Sequence, residues 1–299
     1  MTVAAVPRTW DAAAYELIDI GDGRRLERVG GVLLDRPAPA AGGAVRSADA
    51  RWEAADARFE RSAKEDGRWL PAAPEPWSVC HGSLTLEARA TPSGGIGVFP
   101  EQVGNWAWLA ERVLERAPAA NGRSPDVLNL FAHTGGASLA AAVAGGRVVH
   151  VDASRPAVSW ARRNATLSGL AAAPIRWIVD DALAFARREA RRGRTYDVIV
   201  LDPPSYGHAP NRARWQLADQ LPALLEACGA VLAAHGALVL SAHTPGYDSD
   251  RLAQDVAYSL RPGARVGSAL ELEPVELVLQ ASSGARLPAG SAVRAFRTP

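Results

Sequence analysis

Glycines and acidic residues follow a series of short apolar segments in the middle of this 299-residue chain. The pair Gly135-Gly136 follows the first segment, and Asp152 ends the second. Asp180-Asp181 follows the third segment, and Asp202 follows the fourth. Carboxylates accept hydrogen bonds from hydroxyl and amino groups, and adjacent glycines let the backbone approach a ligand closely. These residue types indicate a site for a polar organic ligand. We expect no metal, because the six histidines show no spacing typical of metal ligands.

The order of these residues along the chain suggests what each could bind. Asp152, downstream of the glycine pair at the end of its segment, suits hydrogen bonds from ribose hydroxyls, with a helix cap as the alternative. Either Asp180 or Asp181 could receive an adenine amino group while the other caps the following helix. The chain lacks both G-x-G-x-x-G and G-x-x-x-x-G-K-[ST]. The glycine pair therefore predicts neither a dinucleotide pyrophosphate site nor a P-loop.

The fourth acidic residue, Asp202, is followed by two prolines. Prolines at this position cannot continue a strand's hydrogen-bond ladder, so Pro203 and Pro204 are expected to form a rigid turn whose carbonyls point at the site. An aspartate in front of such a turn is rarely needed for folding. We therefore expect Asp202 to act on a bound ligand.

The apolar segments are predicted to be parallel strands buried on both faces, because they are rich in Val, Ile and Leu and do not alternate with polar residues. They cover residues 127–131, 148–151, 175–179, 198–201 and 237–240. Helical stretches lie between them, at 137–144, 155–168, 182–192 and 215–234. This alternation predicts an α/β fold with a doubly wound parallel sheet. In such sheets the ligand binds beyond the carboxyl ends of the strands, which is where the acids and glycines lie.

Further elements flank this sheet. A helix is predicted over residues 105–116, with Asn105 as its N-cap and its end before Pro118. Near the carboxyl terminus a helix is predicted over 250–260. The strand-like segments 266–279 and 292–296 follow it and fit a final hairpin added to the sheet.

The first third of the chain has a different pattern. Residues 15–20, 25–29 and 84–89 alternate between apolar and polar side chains, which is typical of half-buried strands. Turns rich in glycine and proline separate them. The sequence therefore predicts a small β-rich N-terminal domain over residues 1–95 and a second domain over residues 96–299.

Composition excludes several classes of protein. The 33 basic residues nearly balance the 32 acidic ones, which argues against bulk binding of nucleic acid. Two cysteines cannot form a disulfide framework. With no apolar run long enough to cross a membrane and no signal peptide, a cytoplasmic protein is expected. The arginine-rich run 187–194 is expected to be a solvated helix end, with phosphate contact as the alternative.

Several segments together resemble the class I S-adenosylmethionine (SAM)-dependent methyltransferases. More narrowly, they are similar to the bacterial large-subunit ribosomal RNA cytosine-C5 methyltransferases. The resemblance is carried by residues 128–138 (LNLFAHTGGAS), 151–154 (VDAS), 161–164 (ARRN), 201–206 (LDPPSY) and 97–106 (GVFPEQVGNW). It spans about residues 95–245 and implies a Rossmann-like, seven-stranded methyltransferase sheet with SAM as the cofactor.

The resemblance implies a role for each matching residue. Asp152 is expected to hold the ribose and Asp181, with Asp180 second, the adenine. The remaining residues expected to touch the cofactor are Asn129, Thr134, Gly135, Gly136 and Asp202, and, in a segment lying over it, Phe99, Gln102 and Asn105. On the acceptor side, Asp202 and Pro203 would face the methyl acceptor, Tyr206 could stack on a planar substrate, and His243 could serve as a base.

One departure from this family concerns the reaction. Methylation of cytosine C5 requires a cysteine thiolate that adds to the ring. Members with that activity have a cysteine after the fifth strand, where this chain has Ser241-Ala242-His243-Thr244. Cys228 lies in a predicted helix and is expected to be a buried structural residue, and Cys80 lies in the N-terminal region. C5 transfer is therefore disfavoured.

Transfer to a nitrogen or oxygen needs only positioning and a proton acceptor. The sequence thus predicts a SAM-dependent methyltransferase acting on N or O of an RNA base, such as one in ribosomal RNA. A small-molecule methyltransferase and a cofactor-binding protein without turnover are the alternatives, because the fold alone does not separate these functions.

Overall fold

The structure, a computed structural model, describes residues 5–61, 67–119, 123–208, 214–260 and 270–297. They form two compact units. The smaller unit comprises residues 7–104 and 277–289, and the larger comprises residues 105–276 and 290–297, with residues 5 and 6. This division differs from the predicted boundary at 95/96 by about nine residues and by the added segment near the carboxyl terminus. The proposed pair of domains stays a prediction.

The smaller unit consists mainly of strands, as its alternating sequence predicted. One sheet has the order β1-β2-β3-β4-β5. Its strands are β1 (Tyr15–Gly21), β2 (Arg24–Val29), β3 (Val32–Pro37), β4 (Ala57–Glu60) and β5 (Arg68–Leu70). A separate hairpin pairs β6 (Trp77–His81) with β7 (Leu84–Ala88).

The first three strands are antiparallel because their connections turn tightly. Asp22 and Gly23 have φ values of 52° and 72°, and Gly30-Gly31 follows the same pattern at 56° and 87°. Two consecutive left-handed residues match the twist of a two-residue hairpin, and glycine and aspartate tolerate that conformation best. The meander buries a small apolar cluster of Ile18, Leu26, Leu33 and Trp52.

The larger unit is an α/β layer structure, which confirms the predicted fold class. Its first elements are α1 (Val103–Ala119), β8 (Asp126–Leu130), α2 (Gly136–Val143), β9 (Arg147–Asp152), α3 (Arg155–Leu167), β10 (Ile175–Val179), α4 (Ala182–Arg191) and β11 (Tyr196–Leu201). They are followed by β12 (Tyr206–His208), β13 (Arg214–Gln216), α5 (Leu217–Val231), β14 (Leu232–Ala242), α6 (Ser249–Leu260), β15 (Leu270–Gln280) and β16 (Arg286–Arg297).

Seven of these strands form one sheet in the order β10-β9-β8-β11-β14-β16-β15. The first five are parallel, and β16 runs antiparallel to β14. Four of the parallel strands are largely buried, with Leu128, Ile199 and Leu240 fully inaccessible, which explains their apolar sequences. Strand β10 is only partly buried, and the prediction that it is covered on both faces was wrong, because it lies at the end of the sheet with a neighbour on one side only. Because the strands are parallel, their carboxyl ends share one edge of the sheet. We call this the carboxyl edge and the opposite one the amino edge.

The structure corrects several predicted boundaries. Helix α5 is shorter than the predicted 215–234: Trp215 lies in β13, and residues 232–234 begin β14. Helix α1 begins at Val103, so Asn105 lies inside it and is not its N-cap, and the helix continues past Pro118. The hairpin β15–β16 agrees with the predicted one, and residues 266–269 lie outside the described residues.

No helix in the described ranges is both long and apolar enough to cross a membrane.

Candidate active site at the carboxyl edge

The sheet brings the sequence-predicted acids and glycines of the larger unit to one edge. Asp152 ends β9, Asp180 follows β10, the loop 131–135 follows β8, and Asp202 follows β11. His243 directly follows β14. These strands are consecutive neighbours in the sheet, so the side chains form a continuous row. The arrangement is that of a ligand site beyond the carboxyl ends of parallel strands.

Asp152 is held in place by two backbone N–H groups. Its Oδ2 accepts from His133 N at 2.8 Å, and its Oδ1 accepts from Ser154 N at 2.8 Å. Since each carboxylate oxygen has a second lone pair, both can still accept a ligand hydroxyl. The helix cap that was the alternative role belongs instead to Ser154, whose Oγ accepts from Ala157 N at 3.3 Å.

The two adjacent aspartates after β10 have different surroundings. Asp181 is the N-cap of α4, and its Oδ1 accepts from Ala184 N at 2.7 Å. Both oxygens of Asp180 are engaged, since Oδ1 accepts from Asp181 N at 2.8 Å and Oδ2 pairs with Arg188 Nη2 at 2.5 Å. Asp181 uses one oxygen for the cap, so its other oxygen is the better placed of the two residues for an external amino group.

The glycine loop has an unusual backbone. Phe131 and His133 have positive φ values of 57° and 45°, and Gly135, the N-cap of α2, has a φ of 93°. A Cβ on Gly135 would lie 2.9 Å from Ala161 Cβ, and a Cβ on Gly136 would lie 2.2 Å from Trp106 Cζ2. The glycine pair is therefore required by packing within the protein, whether or not it also contacts a cofactor.

His133 lies between two of the predicted ligand acids. Burial lowers the pKa of its imidazole, against the opposing charges of Asp152 and Asp202. The residue nevertheless keeps contact with solvent. His133 lies in the loop after β8, the strand between β9 and β11 in the sheet.

Polar groups beneath the loop support it from inside. Asn129, which is buried, donates its Nδ2 to Ser138 Oγ at 2.9 Å, and Ser138 Oγ lies 3.0 Å from His150 Nδ1. The Thr134 carbonyl accepts from Asn164 Nδ2 at 2.9 Å. Asn129 and Thr134 therefore stabilise the loop in this structure, and their predicted contact with the cofactor stays a prediction.

Asp202 belongs to a polar group that joins β11 to β14. Its Oδ1 accepts from Ser241 Oγ at 2.7 Å and lies 3.3 Å from His243 Nε2. Burial alone would raise the pKa of Asp202, but the charge of His243 and the hydrogen bonds from His243 and Ser241 hold it below its ordinary value. The carboxylate is therefore ionised at neutral pH. Ser241 was missed as a site residue because only the pairing of β11 with β14 brings it to Asp202.

The turn after Asp202 is held on both sides. The Pro204 carbonyl accepts from Trp215 Nε1 at 2.7 Å, so it points at the protein and not at the site as predicted. Ser205 Oγ lies 2.6 Å from Thr244 Oγ1. Pro203 remains the turn residue whose carbonyl could meet a substrate. Tyr206 follows in the small β12–β13 hairpin with 74% of its surface exposed, which leaves its ring accessible for stacking.

The segment predicted to cover the cofactor is divided between the two units. Phe99 and Gln102 belong to the smaller unit, where Phe99 precedes the 3-10 turn Pro100–Gln102 and Gln102 is its last, buried residue. Asn105 belongs to the larger unit, and its Oδ1 accepts from Arg294 Nε at 3.1 Å. The predicted cofactor contacts of all three residues stay predictions.

Neither cysteine lies in the segment that follows β14. Cys228 is fully buried in α5, and burial raises the pKa of its thiol to about 12. This agrees with the structural role predicted for it. Cys80 is exposed on β6 in the smaller unit.

The fold is that of a Rossmann-like α/β protein, with a row of acidic and polar side chains at its carboxyl edge. A family model described as S-adenosylmethionine-dependent methyltransferase matches residues 44–276. The chain therefore belongs to the SAM-dependent methyltransferase family, as the sequence resemblance implied.

Known proteins agree with this assignment. The crystal structure of the SAM-dependent methyltransferase from Agrobacterium tumefaciens is 34% identical to this chain and has a TM-score of 0.86. That similarity covers 99% of this chain and 97% of the other. Ribosomal RNA large subunit methyltransferase I of Aeromonas salmonicida is 32% identical over 139 residues, which is 45% of this chain and 35% of that protein.

A second curated relative is ribosomal RNA large subunit methyltransferase K/L of Shewanella frigidimarina. It is 29% identical over 136 residues, which is 45% of this chain and 19% of that protein. The chain thus spans about a third of the first curated relative and about a fifth of the second.

Proposed function

We propose that this protein transfers the methyl group of SAM to a nitrogen, or to an oxygen, of an RNA base. The observation that carries the proposal is the group formed by Asp202, Ser241 and His243 at the carboxyl edge. It provides an ionised, oriented carboxylate and an imidazole in the row of side chains that suits an adenosine cofactor. The two curated relatives, which are named as ribosomal RNA methyltransferases, support RNA as the acceptor.

The residues at the carboxyl edge fit SAM by their hydrogen-bonding chemistry. Asp152 would accept the ribose hydroxyls, and Asp181 would accept the adenine amino group. The loop around Gly135 would lie along the methionine part, with Phe99, Gln102 and Asn105 as further contacts. When bound, SAM supplies an electrophilic methyl group on a sulfonium. The protein's part is to hold the acceptor in line with that methyl group.

On the acceptor side, Asp202 would accept a hydrogen bond from an amino N–H, and the Pro203 carbonyl would accept another. Two such bonds turn the nitrogen lone pair toward the methyl group. The new N–C bond would form as the S–CH3 bond of SAM breaks and S-adenosylhomocysteine leaves, and the proton lost from nitrogen would go to the Asp202–His243 pair. Tyr206 would stack on the base.

Nitrogen or oxygen transfer is preferred over C5 transfer because of where the cysteines lie. A C5 mechanism needs a thiolate next to the base. Neither Cys228, whose thiol is buried with a raised pKa, nor any residue of the segment 241–244 can provide one. Ser241, which stands in that segment, is instead used to hold Asp202.

The decisive experiment is transfer of labelled methyl from SAM to total RNA and, separately, to a small-molecule extract of the source cells. We expect label in RNA, in an N- or O-methylated nucleoside identified by mass spectrometry after digestion. D202A should abolish the label while SAM affinity, measured by isothermal titration calorimetry, is retained.

Label confined to the small-molecule fraction would overturn the RNA acceptor. Label in 5-methylcytosine would overturn the choice of atom. Binding of SAM without transfer to either fraction would favour a non-catalytic cofactor-binding protein.

A further inference from the structure

The charge of this nearly neutral chain is unevenly distributed. Residues 147–194 contain ten arginines and four acidic residues, while the whole chain has a net charge of +1. This segment, which runs from β9 through α4, therefore carries an excess of six positive charges, and the rest of the chain is net negative. Three of its four acids belong to the carboxyl-edge site. The fourth, Glu189, is buried.

Arginines of this segment converge at the amino edge of the sheet, opposite the proposed active site. Arg147 is the first residue of β9, Arg176 the second of β10, and Arg194 lies two residues before β11. These three line a cavity of about 400 Å³. Arg191 and Arg192 lie at the end of α4, just before Arg194 in the chain. All five arginines are exposed. We call these five residues the amino-edge cluster.

Acidic residues next to the cavity are already paired. Asp126 accepts from Arg147 Nη2 at 2.8 Å and from Arg123 Nη1 at 2.5 Å. Glu189 accepts from Arg192 Nη1 and from the Tyr196 hydroxyl, both at 2.9 Å. Burial and this bond to Glu189 raise the pKa of Tyr196, so the phenol remains a donor.

The remaining cations of the cluster are uncompensated. Arg176, Arg191 and Arg194 form no ion pair with any residue of the described ranges. The dipole of α4 accounts for the cations at its end. It does not account for Arg176, which lies on a strand, or for Arg194, which lies in the following loop. A cavity edge with uncompensated guanidinium groups suits phosphate oxygens, which arginine binds in a fork geometry.

We propose that the amino-edge cluster binds backbone phosphates of the RNA whose base is methylated at the carboxyl edge. The proposal rests on the proposed function and adds to it a second contact surface. Strand β9 runs from Arg147 to Asp152, so the two edges are about 17 Å apart at a strand rise of about 3.3 Å per residue. A single nucleoside held at the carboxyl edge does not reach the cluster, whereas a polynucleotide does.

The test compares R176A/R194A with a matched control, R68A/R286A. The control removes Arg68 from β5 and Arg286 from β16. Both arginines are exposed, and neither forms an ion pair with the described residues. The probe is a fluorescently labelled single-stranded RNA of mixed sequence, titrated by anisotropy over a range of salt concentrations. Methyl transfer to total RNA, SAM affinity and thermal stability are measured on the same preparations.

We expect R176A/R194A to weaken RNA binding about tenfold near 0.1 M salt and to lower the slope of log K against log[salt] by about 1.4, since each phosphate contact of a single strand contributes about 0.7. The KM for RNA should rise with little change in kcat, while SAM affinity and stability remain those of the wild type.

Four results would overturn the inference. R176A/R194A could bind RNA with wild-type affinity and slope while the wild type methylates RNA, in which case the proposed function stands and the cluster has no part in it. The control could lose as much affinity as R176A/R194A, which would show a diffuse charge effect. The wild type could bind SAM but neither bind nor methylate RNA, which would overturn the RNA acceptor together with the cluster. Competition of RNA binding by inorganic phosphate at low concentration would indicate a free-anion site and would also count against the inference.

Discussion

Asp202 Oδ1 lies 3.3 Å from His243 Nε2, and this contact joins the turn after β11 to the end of β14. Ser241 donates to the same oxygen from within β14. Because the two strands are adjacent and parallel, residues about 40 positions apart in the chain meet at one point. The carboxylate is thereby oriented and kept ionised, which is the state needed to accept an N–H from a substrate.

Replacing His243 tests the role of this contact in turnover. H243A should reduce methyl transfer about 100-fold or more, which is the usual contribution of a positioned proton acceptor. It should also raise the pKa of Asp202, because His243 holds that pKa down. As the pH falls, the variant should therefore lose activity at a higher pH than the wild type. A pH–rate profile for both proteins measures this shift.

Histidine 235 offers the matched control for that experiment. It is exposed at the other end of the same strand, so H235A should leave both the rate and the acid limb unchanged. If H243A loses activity on the acid side of its pH–rate profile at the same pH as the wild type, His243 does not act on Asp202.

Removing the Asp152 carboxylate tests the cofactor side. D152A should weaken SAM binding at least about tenfold, since hydrogen bonds to a charged group contribute about 1.5–3 kcal/mol each. The same change takes a partner from the His133 and Ser154 N–H groups, so some loss of stability is expected as well. Isothermal titration with SAM, alongside thermal unfolding, separates the two effects.

S154A serves as the control, because it removes only the cap of α3 and should cost about 1 kcal/mol of stability with SAM affinity retained. Unchanged SAM affinity in D152A would remove Asp152 from the site.

Adding a methyl group at Gly136 tests the packing of the glycine loop. Its Cβ would lie 2.2 Å from Trp106 Cζ2, and a buried indole has little room to move. We expect G136A to lower the free energy of unfolding by about 1–3 kcal/mol, measured by denaturant titration. In the W106L background the clashing ring atoms are gone, so G136A should lower the free energy of unfolding by less. A double-mutant cycle measures this difference. G43A, at a site with open space around it, should be nearly neutral. Wild-type stability in G136A together with lost SAM affinity would mean that this glycine makes room for the cofactor rather than for Trp106.

The buried His150 predicts an acid-dependent loss of stability. Burial, with smaller contributions from the charges of His133 and Arg162, lowers the pKa of His150 to about 3, against about 6.5 in the unfolded chain. Between these values the unfolded state binds more protons, so stability falls as the pH is lowered from about 6.5 toward 3, by up to about 1.4 kcal/mol per pH unit. H150Q cannot titrate, so its free energy of unfolding should depend less steeply on pH across this window, whatever its stability at neutral pH. H235Q should keep the wild-type dependence, and an equally steep dependence in H150Q would contradict the assignment.

Much of the fold could be predicted from local pattern. The apolar runs at 127–131 and 198–201 identified buried parallel strands because a strand covered on both faces has no reason to alternate. Where prediction failed, tertiary pairing had replaced a local preference. Trp215 has the neighbours of a helix residue in the sequence, yet it forms a short strand whose indole donates to the Pro204 carbonyl.

The sequence predicted which residue types form the candidate site, but only some of the contacts between them. The sequence pointed to Asp152, Asp202 and His243 because each follows a predicted strand. It could not show that Ser241 holds Asp202, or that Asp181 rather than Asp180 caps α4, because these facts depend on strand register and on side-chain orientation.

By itself the sequence determined the parallel sheet, the row of acids beyond its strands and the absence of a cysteine where C5 chemistry needs one. These follow from residue type and periodicity, which act over a few positions. Only the tertiary structure decided that arginines spread over 48 residues converge at the amino edge, and that Gly136 makes room for an indole 30 positions earlier. The physical reason is that charge and volume act through space, and the sheet order sets which distant residues become neighbours.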